Sequence, residues 1–189
     1  MNTKDNKKLI NQNSCFFQII PYIYYFFIFS FLGWILETVY CYITLGEIIK
    51  RGFLNSPICP IYGSGALILT IYLNNSKKKT NYLHLFILFT IFFSFFEYFV
   101  GFTLDELFAA RWWDYSNSKY NLNGRITCFN SFAWGIIAIL FTRYIYPLMK
   151  KFKKFLNDKL SPIIHFFIGI ILICGIIIDL ILSCIKYLS

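Results

Sequence analysis

Residues 82–104, YLHLFILFTIFFSFFEYFVGFTL, contain a single acid, Glu97, and neither lysine nor arginine. A helix needs about 17–25 residues to cross the hydrocarbon core of a bilayer, and this stretch meets that length. Lipid offers no partners for open backbone N–H and C=O groups, so such a segment is expected to be an α-helix. Outward from it, four further apolar stretches read as spans: 19–44, 57–73, 126–149 and 162–185. The second is the shortest.

The whole 189-residue chain agrees with that reading: 58% of it is hydrophobic, 22% aromatic and 14% charged. A soluble domain carries roughly 45–50% apolar and about 25% charged residues. The composition excludes a disordered chain, a soluble enzyme and a nucleic-acid-binding domain as leading readings. The expected fold is all-α: a bundle of five transmembrane helices in one membrane domain, 19–186, behind a basic segment, 1–18.

The net charge of +9 is read as topology information rather than as a nucleic-acid footprint. One set of links holds Lys4, Lys7, Lys8, Lys77, Lys78, Lys79, Lys150, Lys151, Lys153, Lys154 and Lys159. The other holds Lys50, Arg51, Arg111, Lys119, Arg125 and Lys186. The richer set is expected in the cytoplasm, which puts the N-terminus inside and the C-terminus outside a prokaryotic plasma membrane. The first apolar run passes Trp34 and reaches Thr44 without a small-residue cleavage site, so it reads as an uncleaved span rather than a signal peptide. Tyr22, Tyr24, Tyr25, Tyr144 and Tyr146 suit one interfacial belt, and Trp112, Trp113 and Tyr115 the other. Segment 150–159, KKFKKFLNDK, reads first as a topology determinant and second as a short amphipathic turn on anionic headgroups.

The outer links are the unusual parts. RGFLNSPICPIYGSG (51–65) and RWWDYSNSKYNLNGRITC (111–128) each combine arginine, aromatics, asparagine and glycine with a cysteine. Leu54-Asn55-Ser56 before Cys59 parallels Leu122-Asn123-Gly124 before Cys128, and Glu37 and Glu97 precede the two links. Spans one–two and three–four therefore read as two copies of one hairpin, a parallel repeat.

Glu37, Glu97 and Asp179 fall six or seven residues short of their outer span ends, about 9–11 Å deep at 1.5 Å per residue. Gly63-Ser64-Gly65 and Trp134-Gly135 lie at the same level. A charge in hydrocarbon costs at least about 2.5–3.5 kcal/mol, so each acid needs protein, water or a cation beside it. Arg51, Arg111 and Arg125 are the candidate partners. Glu–Arg pairs that merely pin the links are one reading; a ligand site or ion pathway is the other. Pro57 and Pro60 suggest a broken entry to span two, lining an outward-facing cavity. The six cysteines show no metal spacing; Cys59 and Cys128 are close enough in predicted depth to pair, though free buried thiols are the simpler expectation. His84 and His165 read as interfacial. No metal, cofactor or catalytic nucleophile is indicated.

These segments resemble the ABC-transporter type IV family, or CmpB-like permeases. The resemblance rests on Gly33-Trp34 with Glu37, RGFLN (51–55), Pro57, CPIYG (59–63), Glu97-Tyr98 with Gly101, RWWDYS (111–116) and NLNGRI (121–126) with Cys128. It covers about 29–147; Ser56 stands where the family commonly has Gly, and Asp179 with Ser183 looks family-like. The name implies a permease, yet an ABC permease engages an ATPase through a cytoplasmic coupling helix, and the short basic link 150–161 does not itself support such a partner.

The leading function is transport of a small solute or ion. Glu37, Glu97 and Asp179 would bind a cation or relay protons. Arg51, Arg111 and Arg125 would guard the mouth beside Asn55, Asn123 and Ser64, and Trp112, Trp113 and Trp134 would wall the cavity. A membrane-embedded enzyme acting on lipid or envelope substrates, and a structural or regulatory subunit, are the alternatives. The lipid bilayer, a second copy of the chain or a membrane partner subunit are the partners this implies, with no nucleic acid among them.

Overall fold

A computed structural model describes residues 15–76 and 81–188. Lys4, Lys7, Lys8, Lys77, Lys78 and Lys79, with most of the basic N-terminal segment, lie outside the described residues. Helix α1 spans Cys15–Leu45, α2 Pro60–Asn75, α3 Tyr82–Phe108, α4 Cys128–Leu140, α5 Tyr146–Lys159 and α6 Pro162–Leu188. A π-helical turn, Phe141–Ile145, joins α4 to α5 in one 32-residue rod. Pro147, near the start of α5, cannot donate a backbone hydrogen bond, and the wider turn just before it keeps the rod continuous.

Four rods, α1, α3, α4–α5 and α6, are long and apolar enough to cross a membrane. The second expected span is corrected: α2 has 16 residues, about 24 Å of helix, short of a hydrocarbon core of about 30 Å. The prolines explain it. Pro60 occupies the first turn, and Cys59 before it is extended at φ −114° and ψ 97°. The Cys59 N–H then donates to the Ser30 carbonyl of α1 at 2.9 Å instead of continuing a helix.

The fourth span also shifts at both ends. Ile126–Thr127 pairs antiparallel with Asn121–Leu122 as a two-stranded ribbon, β2 with β1, and the Thr127 hydroxyl accepts from Asn130 N at 3.1 Å to cap α4. At the other end KKFKKFLNDK is neither a bare link nor a short turn. It contains no Gly or Pro and continues as α5, leaving Leu160 and Ser161 as the connection to α6. Phe152 packs on the core, and Tyr25 donates to the Met149 carbonyl at 2.7 Å.

Two hairpins, α1–α2 and α3–α4, form the centre, packed through Tyr25, Leu69, Leu85, Phe89, Phe93, Ala138 and Phe141. Small residues let each pair approach closely. Gly63 of α2 lies on Ser30 and the Phe26 carbonyl of α1, and Gly135 of α4 lies on Thr90 and Phe86 of α3. Helix α6 rests on α1, with Gly169 near Ile20 and Ile23. His165 is buried, not interfacial: Tyr24 donates to its Nδ1 at 3.0 Å while its Nε2 faces the Leu156 carbonyl at 3.3 Å.

The ends of the bundle differ. At one end Phe53 from the first long link meets Phe108, Trp112 and Tyr187 at ring-centroid separations of 4.9, 5.3 and 5.4 Å, so both links and the α6 terminus assemble there. The opposite end carries the lysines of α5.

Candidate functional site

Glu37 and Glu97 occupy equivalent places in the two hairpins. Each lies two turns after a small hydroxyl residue, Ser30 or Thr90, that touches the partner helix's glycine. The residue before that glycine supplies a ring donor. Tyr62 donates its hydroxyl to Glu37 Oε1 at 2.5 Å, and Trp134 donates Nε1–H to Glu97 Oε2 at 2.6 Å. The rings of Tyr62 and Trp134 lie 6.2 Å apart, which brings the two carboxylate clusters together inside the bundle.

Their electrostatics differ. Glu37 receives Arg51 through Nη2 at 2.9 Å and Nε at 3.3 Å, a two-pronged ion pair from the link to the helix. Glu97 is 6% exposed and takes part in none of the ion pairs among the described residues. Its other donor is Tyr115 from the second link, at 3.3 Å. Burial, with Glu97 and Glu37 as neighbouring negative charges, raises the Tyr115 phenol well above its ordinary value, so it stays a neutral donor.

Asp179 belongs to a separate set. Its Oδ1 accepts from Asn55 N at 3.0 Å, and its Oδ2 accepts from Ser56 N at 2.9 Å and from the Ser56 hydroxyl. Ser183 Oγ accepts from Asn55 N and Nδ2 at 3.2 and 3.0 Å. Helix α6 thereby clamps the first link. Beside the clamp runs a groove of about 590 Å³ between α1, the link and α6, lined by Phe27, Ile58, Ile171, Gly175 and Ile176.

The arginine partners need correction for two of three. Arg111 and Arg125 do not reach the intramembrane acids; both bind Asp105 Oδ2, from Nε at 3.1 Å and Nη2 at 2.6 Å. Asp105 lies in the last turn of α3, which runs to Phe108 and so extends past the expected span end at Leu104. The Arg125 guanidinium also stacks over Phe102 and Tyr98, centred 5.3 and 5.7 Å away. Arg111 meets Asp114 at 3.5 Å. The Ser116 hydroxyl and N–H, with Arg111 beside them, hold the Asp114 carboxyl below the usual range.

The remaining candidates are scaffold. Trp113 donates to the Arg125 carbonyl at 2.9 Å and lies against Gly101. Trp112 stands in the aromatic cluster around Phe53. Asn123, at φ +52°, donates to Tyr98 Oη at 3.0 Å. Ser64 is half-buried on α2, outside the partners of either carboxylate. Cys59 and Cys128 are both free thiols, the first buried and the second exposed. Tyr62, Tyr115 and Asp105 are the partners of the candidate residues that sequence reasoning missed. Among the described residues no group of three or more His, Cys, Asp or Glu side chains could hold a metal ion.

Fold and site together define a helical membrane protein with one buried and one half-buried carboxylate inside its bundle. The chain belongs to the family described as "Putative ABC-transporter type IV", whose model matches residues 24–184. Comparison with curated proteins and with solved structures finds no match.

Proposed function

We propose that the protein is a permease-like component of a prokaryotic plasma membrane that passes a small solute or ion through the Glu37–Glu97 site. In this reading the two hairpins are a parallel duplication, the short α2 lines the site inside the four longer rods, and the lysine end faces the cytoplasm. One observation carries it: two carboxylates from separate hairpins, one ion-paired and one not, are each held by an aromatic donor, and the two donor rings lie side by side within the bundle. Intramembrane acids held inside a bundle commonly mark ion or substrate paths. Arg51 and the Asp105–Arg111–Arg125 cluster would guard the entrance above them. Asp179 would anchor the first link rather than touch the cargo. A second copy of the chain or a membrane partner subunit would cover part of the apolar flank of α6.

The test uses proteoliposomes with an internal pH dye and imposed proton, sodium or potassium gradients. Wild-type protein should carry flux of at least one of these. Glu37→Gln and Glu97→Gln should each abolish it while elution and membrane insertion stay unchanged. Full flux in both variants would overturn the assignment, as would a wild-type protein passing none of the three ions.

A further inference from the structure

At the end opposite the links, three helices build a polar platform that the carboxylate site does not use. Asn74, in the last turns of α2, donates to the Tyr22 hydroxyl of α1 at 2.8 Å and accepts from the Tyr146 hydroxyl of α5 at 2.7 Å. Two ammonium groups stand on it. Lys150 Nζ is 4.3 Å from the Tyr146 ring centroid and Lys153 Nζ is 5.9 Å from that of Tyr22. Lys151 and Lys154 are exposed on α5, and neither stands over the Tyr22 or Tyr146 ring.

Like charges three apart on a helix repel, and none of the ion pairs among the described residues supplies an acid to either lysine. The nearest acid along α5 is Asp158, five residues beyond Lys153. Tyrosine faces position the two cations without neutralising them. An anion between the ammonium groups would remove the repulsion. The surroundings select its kind: Ile19, one turn before Tyr22 on the same face of α1, is 48% exposed, so apolar surface adjoins the platform. A phosphate carried on acyl chains matches both features.

We propose that Lys150 and Lys153, on the Tyr22–Asn74–Tyr146 platform, form a binding site for the phosphate of an anionic phospholipid. The site is independent of the carboxylate pair and of any transport. The rings hold the ammonium heads from one side and leave the other side open to the headgroup phosphate.

Native mass spectrometry of the full chain in detergent, titrated with phosphatidylglycerol or phosphatidylcholine, tests it. Wild type should retain phosphatidylglycerol in preference to phosphatidylcholine. Lys150→Gln with Lys153→Gln should weaken phosphatidylglycerol retention by roughly thirtyfold, about fivefold per lysine. The control, Lys151→Gln with Lys154→Gln, removes the same charge away from the platform and should weaken retention far less than the first double. Equal losses in both doubles would reduce the effect to diffuse charge and overturn the site. Displacement of the lipid by millimolar inorganic phosphate would overturn the lipid assignment. So would unchanged lipid retention accompanied by loss of a co-purifying protein. If the first double fails to fold, Lys153→Gln alone should still show about the fivefold loss, and no loss there would refute the proposal.

Discussion

Replacing the two packing glycines by alanine distinguishes steric closeness from mere helix propensity. A Cβ at Gly63 would fall inside van der Waals contact of Ser30 Oγ and 2.5 Å from the Phe26 carbonyl oxygen, which is backbone. A Cβ at Gly135 would strike Thr90 Oγ1 and lie 2.6 Å from the Phe86 ring, both side chains. At Gly175 nothing lies within 4 Å. Alanine favours a helix over glycine by about 1 kcal/mol, whereas overpacking a close interface costs about 1–3 kcal/mol. Gly175→Ala should therefore be neutral or stabilising by up to about 1 kcal/mol. At Gly63 the Cβ meets backbone, which puts the cost in the upper part of the overpacking range, so Gly63→Ala should lose a net of about 1–2 kcal/mol, a fall in melting temperature of roughly 2–8 °C for a chain of this size. Gly135→Ala should lose less, because its neighbours can rotate away. Adding Thr90→Ala should largely restore Gly135→Ala, while Ser30→Ala should restore little of Gly63→Ala, since the Phe26 carbonyl stays. Thermal unfolding in detergent, followed by tryptophan fluorescence, reads all five. If Gly63→Ala melts with wild type, or Ser30→Ala rescues it fully, the close approach of α1 and α2 is wrong.

Removing Arg51 leaves Glu37 half-buried without its cation, so Arg51→Gln should destabilise by about 1–3 kcal/mol, and Arg51→Gln with Glu37→Gln should recover most of that in a melting cycle. Asp179→Asn places an amide N–H against the Asn55 and Ser56 backbone donors; a loss of about 1–3 kcal/mol and faster proteolysis within the 46–58 link should follow, with Ser183→Ala milder in both assays. Asp105→Asn weakens the only acid shared by Arg111 and Arg125 in the described structure, and faster backbone hydrogen exchange over 111–127 than in wild type would report it. Lowering the pH protonates Asp114. Its folded-state value is depressed, so its contribution is present above the ordinary aspartate range and lost on acidification through the lower folded value; exchange at Ser116 should rise there, and should rise at neutral pH in Asp114→Asn.

The centres of the membrane rods were legible because a run such as 82–104 admits no other backbone solution in lipid, and Arg51 was legible as a candidate partner for an intramembrane acid, which the structure gives to Glu37. The errors lie where the limits of hydropathy as a guide are reached. Asp105 was overlooked because α3 continues for a turn past the expected span end at Leu104, carrying its acid to the arginines. Tyr62 and Tyr115 were read as part of a motif and as a membrane anchor, since hydropathy does not reveal which way a phenol points. The helical state of 150–159 was hidden by its charge, although nothing in KKFKKFLNDK breaks a helix and Phe152 supplies a buried face. Depth counted along each helix placed three acids at one level, but depth says nothing about azimuth. Azimuth is what joins Glu37 to Glu97 and gives Asp179 to the link.

That division bears on how two similar hairpins could act unequally. In the first, Arg51 spans from link to helix, so the Glu37 carboxylate, the link and α1 are held by one ion pair, and Asp179 fixes the same link again from α6. Motion there would have to break a salt bridge and the amide clamp together. In the second, the arginines are drawn off to Asp105, and Glu97 is held by a phenol and an indole, neutral donors that lose less when a carboxylate changes partner. No sixth rod among the described residues plays for α3 the part that α6 plays for α1. The second hairpin is thus the less constrained half at the level of its carboxylate, and under the proposed permease reading a cargo that exchanges places with a hydrogen-bond donor would meet the lower barrier at Glu97, with Glu37 as the fixed charge beside it.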